Sequence, residues 1–315
     1  MIRKAAIISI AGLFLTTKEI AVLKKEKPWG VILFKRNILS EFQLANLTKK
    51  IKKVMNDKKF PILIDEEGGR VSRLSNFLDN SIFTQKYFAD IYKFDKLIAT
   101  QLYKTYIISL SKILLKTGIN INTSPVLDLT KINTHKVIGD RSYSTNYKTV
   151  NEFGKLCVKF YKLNKIATVI KHIPGHGGAN LDSHFNLPKI SNSFRTLKNT
   201  DFKCFKNTGS FFAMTGHILY RSIDKKNNVT HSEKVIKKVI RDEIGFKGIL
   251  ISDDISMKAL KYNLVKNAEL ALKAGCNLVL YCAGKIKETD KLLKRMPYID
   301  KFTAKKTSEF YKFLS

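Results

Sequence analysis

The chain is poor in cysteine, in proline and in acidic side chains, and each shortage excludes something. Its four cysteines, Cys157, Cys204, Cys276 and Cys282, are scattered with no Cys-x-x-Cys pair. That argues against a zinc knuckle or a dense disulfide framework and favours a reducing, cytoplasmic setting. No Pro/Gly/Ser-rich linker interrupts the chain, so its 315 residues read as one domain. Long hydrophobic runs are also missing, and no segment reaches the ~18 apolar residues a membrane span needs. One run, residues 5–15, follows Arg3 and Lys4 and imitates a secretory signal. However, no small-residue cleavage site follows it, Lys18 and Glu19 come next, and β-branched Ile7, Ile8 and Ile10 suit a buried first strand. The acid shortage leaves 57 basic against 26 acidic side chains, a formal charge of +31. Most of the basic residues are lysines spread over nearly every polar segment. A phosphate-reading face concentrates arginine in a stripe or patch, so this charge reads as a diffuse surface and no nucleic-acid partner is expected.

What is present is apolar surface: 44% hydrophobic residues, with 20 Phe and 12 Tyr, enough for a large core and incompatible with disorder. Eight short apolar runs predict buried strands at Ala6–Ile10, Gly30–Phe34, Pro61–Ile64, Asn120–Leu127, Thr168–Lys171, Phe211–Thr215, Gly248–Ser252 and Asn277–Tyr281. Amphipathic stretches between them predict helices at Glu41–Met55, Thr84–Lys116, Asn146–Asn164, Ser232–Ile244, Asn263–Ala274 and Lys285–Lys294. Gly118, Gly245 and Gly275 lie just past three of these, where left-handed C-terminal caps belong. Strands that are apolar throughout are buried on both faces. Eight of them alternating with helices predict an α/β fold, a single closed (β/α)8 TIM-type barrel spanning residues 1–315, with local strand irregularity allowed.

In such a barrel the reacting groups belong at the C-terminal strand ends. The third strand runs into Asp65-Glu66-Glu67-Gly68-Gly69-Arg70, with Arg73 beyond, and the fourth into Asp128 and later Gly139-Asp140-Arg141. The fifth ends in Lys171-His172-Ile173-Pro174-Gly175-His176-Gly177, followed by Asp182-Ser183-His184. The sixth ends near His217, and the seventh in Ser252-Asp253-Asp254. Four of the six histidines and several carboxylates are thus expected on one rim. Asp182 and His184, two residues apart, would share a face in extended chain with Cα atoms about 6.6 Å apart. A carboxylate there can orient an imidazole for proton transfer, although a self-capping turn would look the same. Asp253 and Asp254 cannot both face the mouth. One would be a nucleophile, base or metal ligand, and the other would N-cap a helix beginning near Ser256. Asp65 beside Arg70 or Arg73 suits vicinal sugar hydroxyls, since a carboxylate accepts and a guanidinium donates several hydrogen bonds. Buried Lys171 needs a partner, from a neighbour or a ligand.

Four segments together resemble a known family: DEEGGRVSRL (65–74), VIGDRSYS (137–144), KHIPGHGGANLDSHFNLP (171–188) and GFKGILISDDISMKAL (245–260). They are similar to the signature blocks of glycoside hydrolase family 3, in its bacterial β-N-acetylhexosaminidase branch. The blocks stand in family order and extend from the first strand to the last. The resemblance implies a cytoplasmic single barrel without the second sandwich domain of larger members. It further implies action on a peptidoglycan-recycling substrate, an N-acetylglucosamine-containing muropeptide, by a monomer without metal or cofactor. It makes Asp253 the nucleophile, His184 the acid/base oriented by Asp182, and Asp65, Arg73, Arg141, Lys171 and His172 the residues that bind the non-reducing-end sugar. Ile173 stands where the family commonly has an aromatic, and the turn after Gly177 is Gly-Ala-Asn-Leu; neither departure removes a reacting group. Residues 175–186 are expected to bring His184 over the sugar after binding.

Three other readings compete. His172, His176, His184, His217 and Asp253 could ligate zinc, but no His-x-His follows the first strand and no ligand pair has helix spacing. A non-catalytic, basic polymer-binding barrel rests only on the +31 charge. A β-glucosidase of the same family is the nearest rival, though such enzymes generally lack the Asp-x-His loop.

Overall fold

The computed structural model describes residues 2–130, 138–177 and 187–315. Within them eight parallel strands close into a barrel: β1 (Lys4–Ile8), β2 (Pro28–Leu33), β3 (Ile62–Ile64), β4 (Ile121–Asn122), β5 (Ala167–Ile173), β7 (Phe212–Thr215), β9 (Ile249–Asp254) and β10 (Leu278–Tyr281), the last pairing with β1. Outside the barrel, β6 (Lys189–Ile190) pairs with β8 (Leu219–Tyr220). Each barrel strand coincides with one of the eight runs expected from sequence. Period-2 alternation sorts their side chains into two apolar layers. Ala5, Ile7, Leu63, Ile249, Ile251, Leu278 and Leu280 fill the barrel, while Ala6, Ile8, Ile62, Ile64, Leu250, Val279 and Tyr281 pack outward against the helices.

The pairing register shifts between β1 and β2, β5 and β7, and β9 and β10, and strand four is irregular too. The expected run Asn120–Leu127 pairs as a strand only over Ile121–Asn122, and Val126 rejoins β5 through a single bridge to Lys171. The predicted helix Thr84–Lys116 is two helices, Gln85–Phe94 and Lys96–Lys116. Between them Asp95 is extended and its Oδ1 accepts from Ile98 N at 2.9 Å, making it the N-cap of the second. The segment Ser232–Ile244 is α-helical over Glu233–Val235 and π-helical over Ile236–Glu243. Gly118, Gly245 and Gly275 have φ of +77°, +75° and +113° at their helix ends, the left-handed caps anticipated.

Among the described residues three α-helices were not anticipated: Thr17–Glu26, Phe194–Asn199 and Lys301–Phe313. The first opens on a capping box, in which Glu19 N donates to Thr16 Oγ1 at 3.2 Å and Thr16 N to Glu19 Oε2 at 2.8 Å. The last closes the N-terminal end of the barrel, with Phe310 fully buried against Phe212 and Trp29 Nε1–H donating to Thr307 Oγ1 at 2.9 Å. Among the described residues no helix is long and apolar enough to cross a membrane.

Candidate active site

The C-terminal strand ends surround a cavity of about 340 Å³, lined by residues that include Phe34, Asp65, Glu67, Arg73, Arg141, Lys171, His172, His176, Asp253 and Asp254. That volume suits one small polar ligand.

Its floor is built by the segment after β3. Asp65 and Glu67, two residues apart, face the mouth, while Glu66 turns beneath the loop. The Glu66 carboxylate accepts from Arg73 N at 2.8 Å, Leu74 N at 3.0 Å and Asn80 Nδ2 at 3.1 Å. Burial pushes its proton affinity up. These bonds fold the chain back so that Arg73 Nη2 meets Asp65 Oδ2 at 3.2 Å. Gly68 makes the return possible. Its φ is +82°, and a Cβ there would lie 2.1 Å from the Phe83 carbonyl oxygen.

Lys171, at the end of β5, is buried among three partners: Asp65 Oδ1 at 2.9 Å, Glu67 Oε1 at 2.6 Å and Thr123 Oγ1 at 3.1 Å. The partner its burial demands is therefore supplied by the protein. Arg141 forks onto Glu67, Nε to Oε2 at 2.7 Å and Nη2 to Oε1 at 2.9 Å. Desolvation alone would raise both carboxylates. Lys171 and Arg73 overcome it at Asp65, which stays well below the usual range. Arg141 and Lys171 do the same at Glu67, held at about 2. Burial opposes the charge on Lys171 and Arg141, but their carboxylate partners prevail and hold both protonated. Arg70 pairs instead with Asp140 at 3.2 Å on the outer rim, both half-exposed.

His172 Nδ1 is 2.7 Å from Oδ2 of the buried Asp128, whose Oδ1 accepts from His176 N at 2.6 Å. One carboxylate thus fixes an imidazole and the loop that carries the next. Burial depresses His176 to about 4, leaving it neutral near pH 7.

Across the cavity, β9 delivers the two adjacent acids to different tasks. Asp253 Oδ1 accepts from Asp254 N at 2.8 Å. Burial favours its protonation, but His217, His172 and that amide outweigh it and hold the carboxylate below its ordinary value. Asp254 is raised by burial and binds locally, accepting from Ser256 N at 3.1 Å, Ser256 Oγ at 2.9 Å and Cys282 N at 3.3 Å. No helix begins at Ser256; residues 255–260 form turns, so the cap expected of one aspartate is a side-chain turn instead. His217 is buried behind this corner. Its Nε2–H donates to the Asp254 carbonyl oxygen at 2.9 Å, and Nδ1 lies 2.8 Å from Thr230 Oγ1.

Asp65, Arg73, Arg141, Lys171, His172 and Asp253 therefore share one cavity. Asp182 and His184 lie outside the described residues, as does most of the segment 175–186; the chain is described up to Gly177 and again from Leu187. Sequence reasoning gave Glu67 and Asp128 no role. Glu67 carried a usable signal, being two residues from Asp65 with the same-face parity applied to Asp182 and His184. Asp128 was visible after strand four, but its partners are 44 and 48 residues away. Among the described residues no group of three or more His, Cys, Asp or Glu side chains is arranged to hold a metal ion.

A parallel barrel with ionised carboxylates, imidazoles and buried cations in its C-terminal mouth has the parts of a glycoside hydrolase. Comparison with known proteins agrees. The glycosyl hydrolase family 3 N terminal domain matches residues 8–302. The chain is similar to a beta-hexosaminidase of Methylobacillus flagellatus, 32% identical over 92% of this chain and 83% of that protein, and to one of Nitrosomonas eutropha, 31% identical over 87% and 79%. Among solved structures it is similar to NagZ from Neisseria gonorrhoeae in complex with N-trifluoroacetyl-D-glucosamine, with a TM-score of 0.89 and 29% identity, covering 98% of this chain and 90% of that one. The chain belongs to glycosyl hydrolase family 3.

Proposed function

We propose that this chain removes single N-acetylglucosamine units from the non-reducing ends of peptidoglycan fragments, such as N-acetylglucosaminyl-anhydro-N-acetylmuramic acid and its peptides, with retention of configuration. The chain is a glycoside hydrolase of the β-N-acetylhexosaminidase kind. Its substrate, mechanism, cytoplasmic setting and monomeric state form our reading.

The observation that carries this reading is the Asp253 carboxylate, kept ionised at the end of β9 and lining the same cavity as Asp65, Lys171 and Arg141. A retaining glycosidase needs such an anion to attack the anomeric carbon and form a glycosyl-enzyme, while a second group protonates the departing oxygen and later activates water. In our reading His184, oriented by Asp182, is that second group. An imidazole is neutral after giving up its proton, so it does not repel anionic groups on the leaving fragment. Asp65, Arg73, Arg141, Lys171 and His172 would grip the hydroxyl and acetamido groups of the sugar.

The test is release of phenol from an aryl β-N-acetylglucosaminide beside the matching β-glucoside. Hydrolysis confined to the first supports the assignment; preference for the glucoside overturns it in favour of a β-glucosidase. The acid role of His184 is tested separately. His184→Ala should lose little activity on substrates whose leaving phenolate needs no proton and much on those with poor leaving groups, whereas equal loss on both rejects it.

A further inference from the structure

We infer that Glu67 is a positioning residue for sugar binding: it is the counter-charge that keeps Lys171 and Arg141 apart and aimed, and so leaves Asp65 able to accept hydrogen bonds from the substrate. The inference rests on the glycosidase reading above and adds a residue with no role there.

The geometry carries it. The Glu67 side chain is buried, and its two oxygens meet three donor atoms on two cations: Lys171 Nζ at 2.6 Å, Arg141 Nη2 at 2.9 Å and Arg141 Nε at 2.7 Å. Lys171 touches both Glu67 and Asp65, so the carboxylates hold it in common. Around this floor stand three cations, Lys171, Arg141 and Arg73, and two anions, Glu67 and Asp65, for a local sum of +1. Neutralising Glu67 makes that sum +2 and leaves Asp65 as the one carboxylate among them. Lys171, its shorter contact gone, would then pair fully with Asp65, which already meets Arg73 at 3.2 Å. Asp65 Oδ1 already accepts from Lys171 and Thr123 and Oδ2 from Arg73, so a Lys171 drawn wholly onto Asp65 would take more of the acceptor capacity left for sugar hydroxyls. Arg141 would lose a two-pronged partner, the arrangement that fixes the plane of a guanidinium. Glu67 itself is covered on both oxygens and acts through its neighbours.

The consequence is a defect in binding more than in chemistry, since Asp253 lies across the cavity. With an aryl β-N-acetylglucosaminide, Glu67→Gln should raise KM roughly tenfold or more, the scale of breaking one partner of a buried charge pair, with a much smaller fall in kcat. Glu67→Asp, which keeps the charge with a shorter reach, should recover part of the loss. Glu67→Ala opens a carboxylate-sized gap between Lys171 and Arg141, and sodium formate should lower its KM toward the wild-type value while sodium chloride at equal ionic strength does not. A residue serving the fold alone would lower the melting temperature without this KM shift or anion rescue. A KM unchanged in Glu67→Gln, or a Glu67→Ala variant that folds but ignores formate, overturns the inference. Wild-type enzyme inactive on the aryl N-acetylglucosaminide would instead sink the underlying reading, so the two failures are distinguishable.

Discussion

At the scale of single residues, the mouth of the barrel shows how placement divides like groups into unlike tasks. Asp253 and Asp254 are chemically identical neighbours that both line the cavity, yet one has its charge favoured and the other is engaged by Ser256 and Cys282. Asp253→Ala is accordingly expected to reduce kcat by at least about three orders of magnitude, as loss of a covalent nucleophile does, while N-acetylglucosamine still binds in calorimetry. Appreciable turnover by that variant would reject the assignment. His176 gives a stability prediction. Its folded value of about 4 lies below the ordinary 6.5, so between those limits the unfolded chain holds a proton that the folded chain lacks. Stability therefore falls as pH drops from about 6.5 to about 4. Glu67 extends the decline, because its depressed carboxylate contributes stability that is present above about 4.5 and lost as pH falls toward 2. Urea midpoints from pH 7 to 4 should show less slope in His176→Asn than in wild type; an unchanged slope would assign the decline to other groups.

At the scale of elements, the loop after β3 is the piece on which the cavity depends, because its fold returns Arg73 to Asp65. Gly68→Ala must place a methyl group 2.1 Å from the Phe83 carbonyl at a φ of +82°. The expected cost is about 1–3 kcal/mol of strain, and since the loop positions Arg73, KM should rise with the loss of stability. A melting temperature and KM both equal to wild type would contradict this account. Elements were legible in sequence wherever apolar period and end signals agreed, as in the eight strands and the three glycine caps. They were missed where the signal was short or hidden. The Thr16–Glu19 capping box had the right spacing, but it followed an apolar run that suggested only a strand. Asp95 was embedded in a continuous amphipathic pattern, so the break it makes between two helices went unread.

At the scale of the whole molecule, the closed barrel needs its lower end sealed, and the helix Lys301–Phe313 does this with a fully buried Phe310 against Phe212. Phe310→Ala should cost about 3–5 kcal/mol, read as a lower urea midpoint, while kcat on an aryl substrate at 25 °C stays near wild type because the mouth is at the opposite end. A large fall in kcat without loss of stability would mean that the two ends are coupled. The amino-acid order by itself determined the barrel, since runs buried on both faces and separated by helices satisfy their backbone groups by closing on one another, and it determined which strand ends carry ionisable groups. Tertiary structure alone decided which of those groups are paired. Glu67 meets Lys171 and Arg141 across separations of 104 and 74 residues, and Asp128 meets His172 across 44. Local pattern cannot reveal such pairs, because the cost of burying a charge is settled by whatever stands opposite it in space.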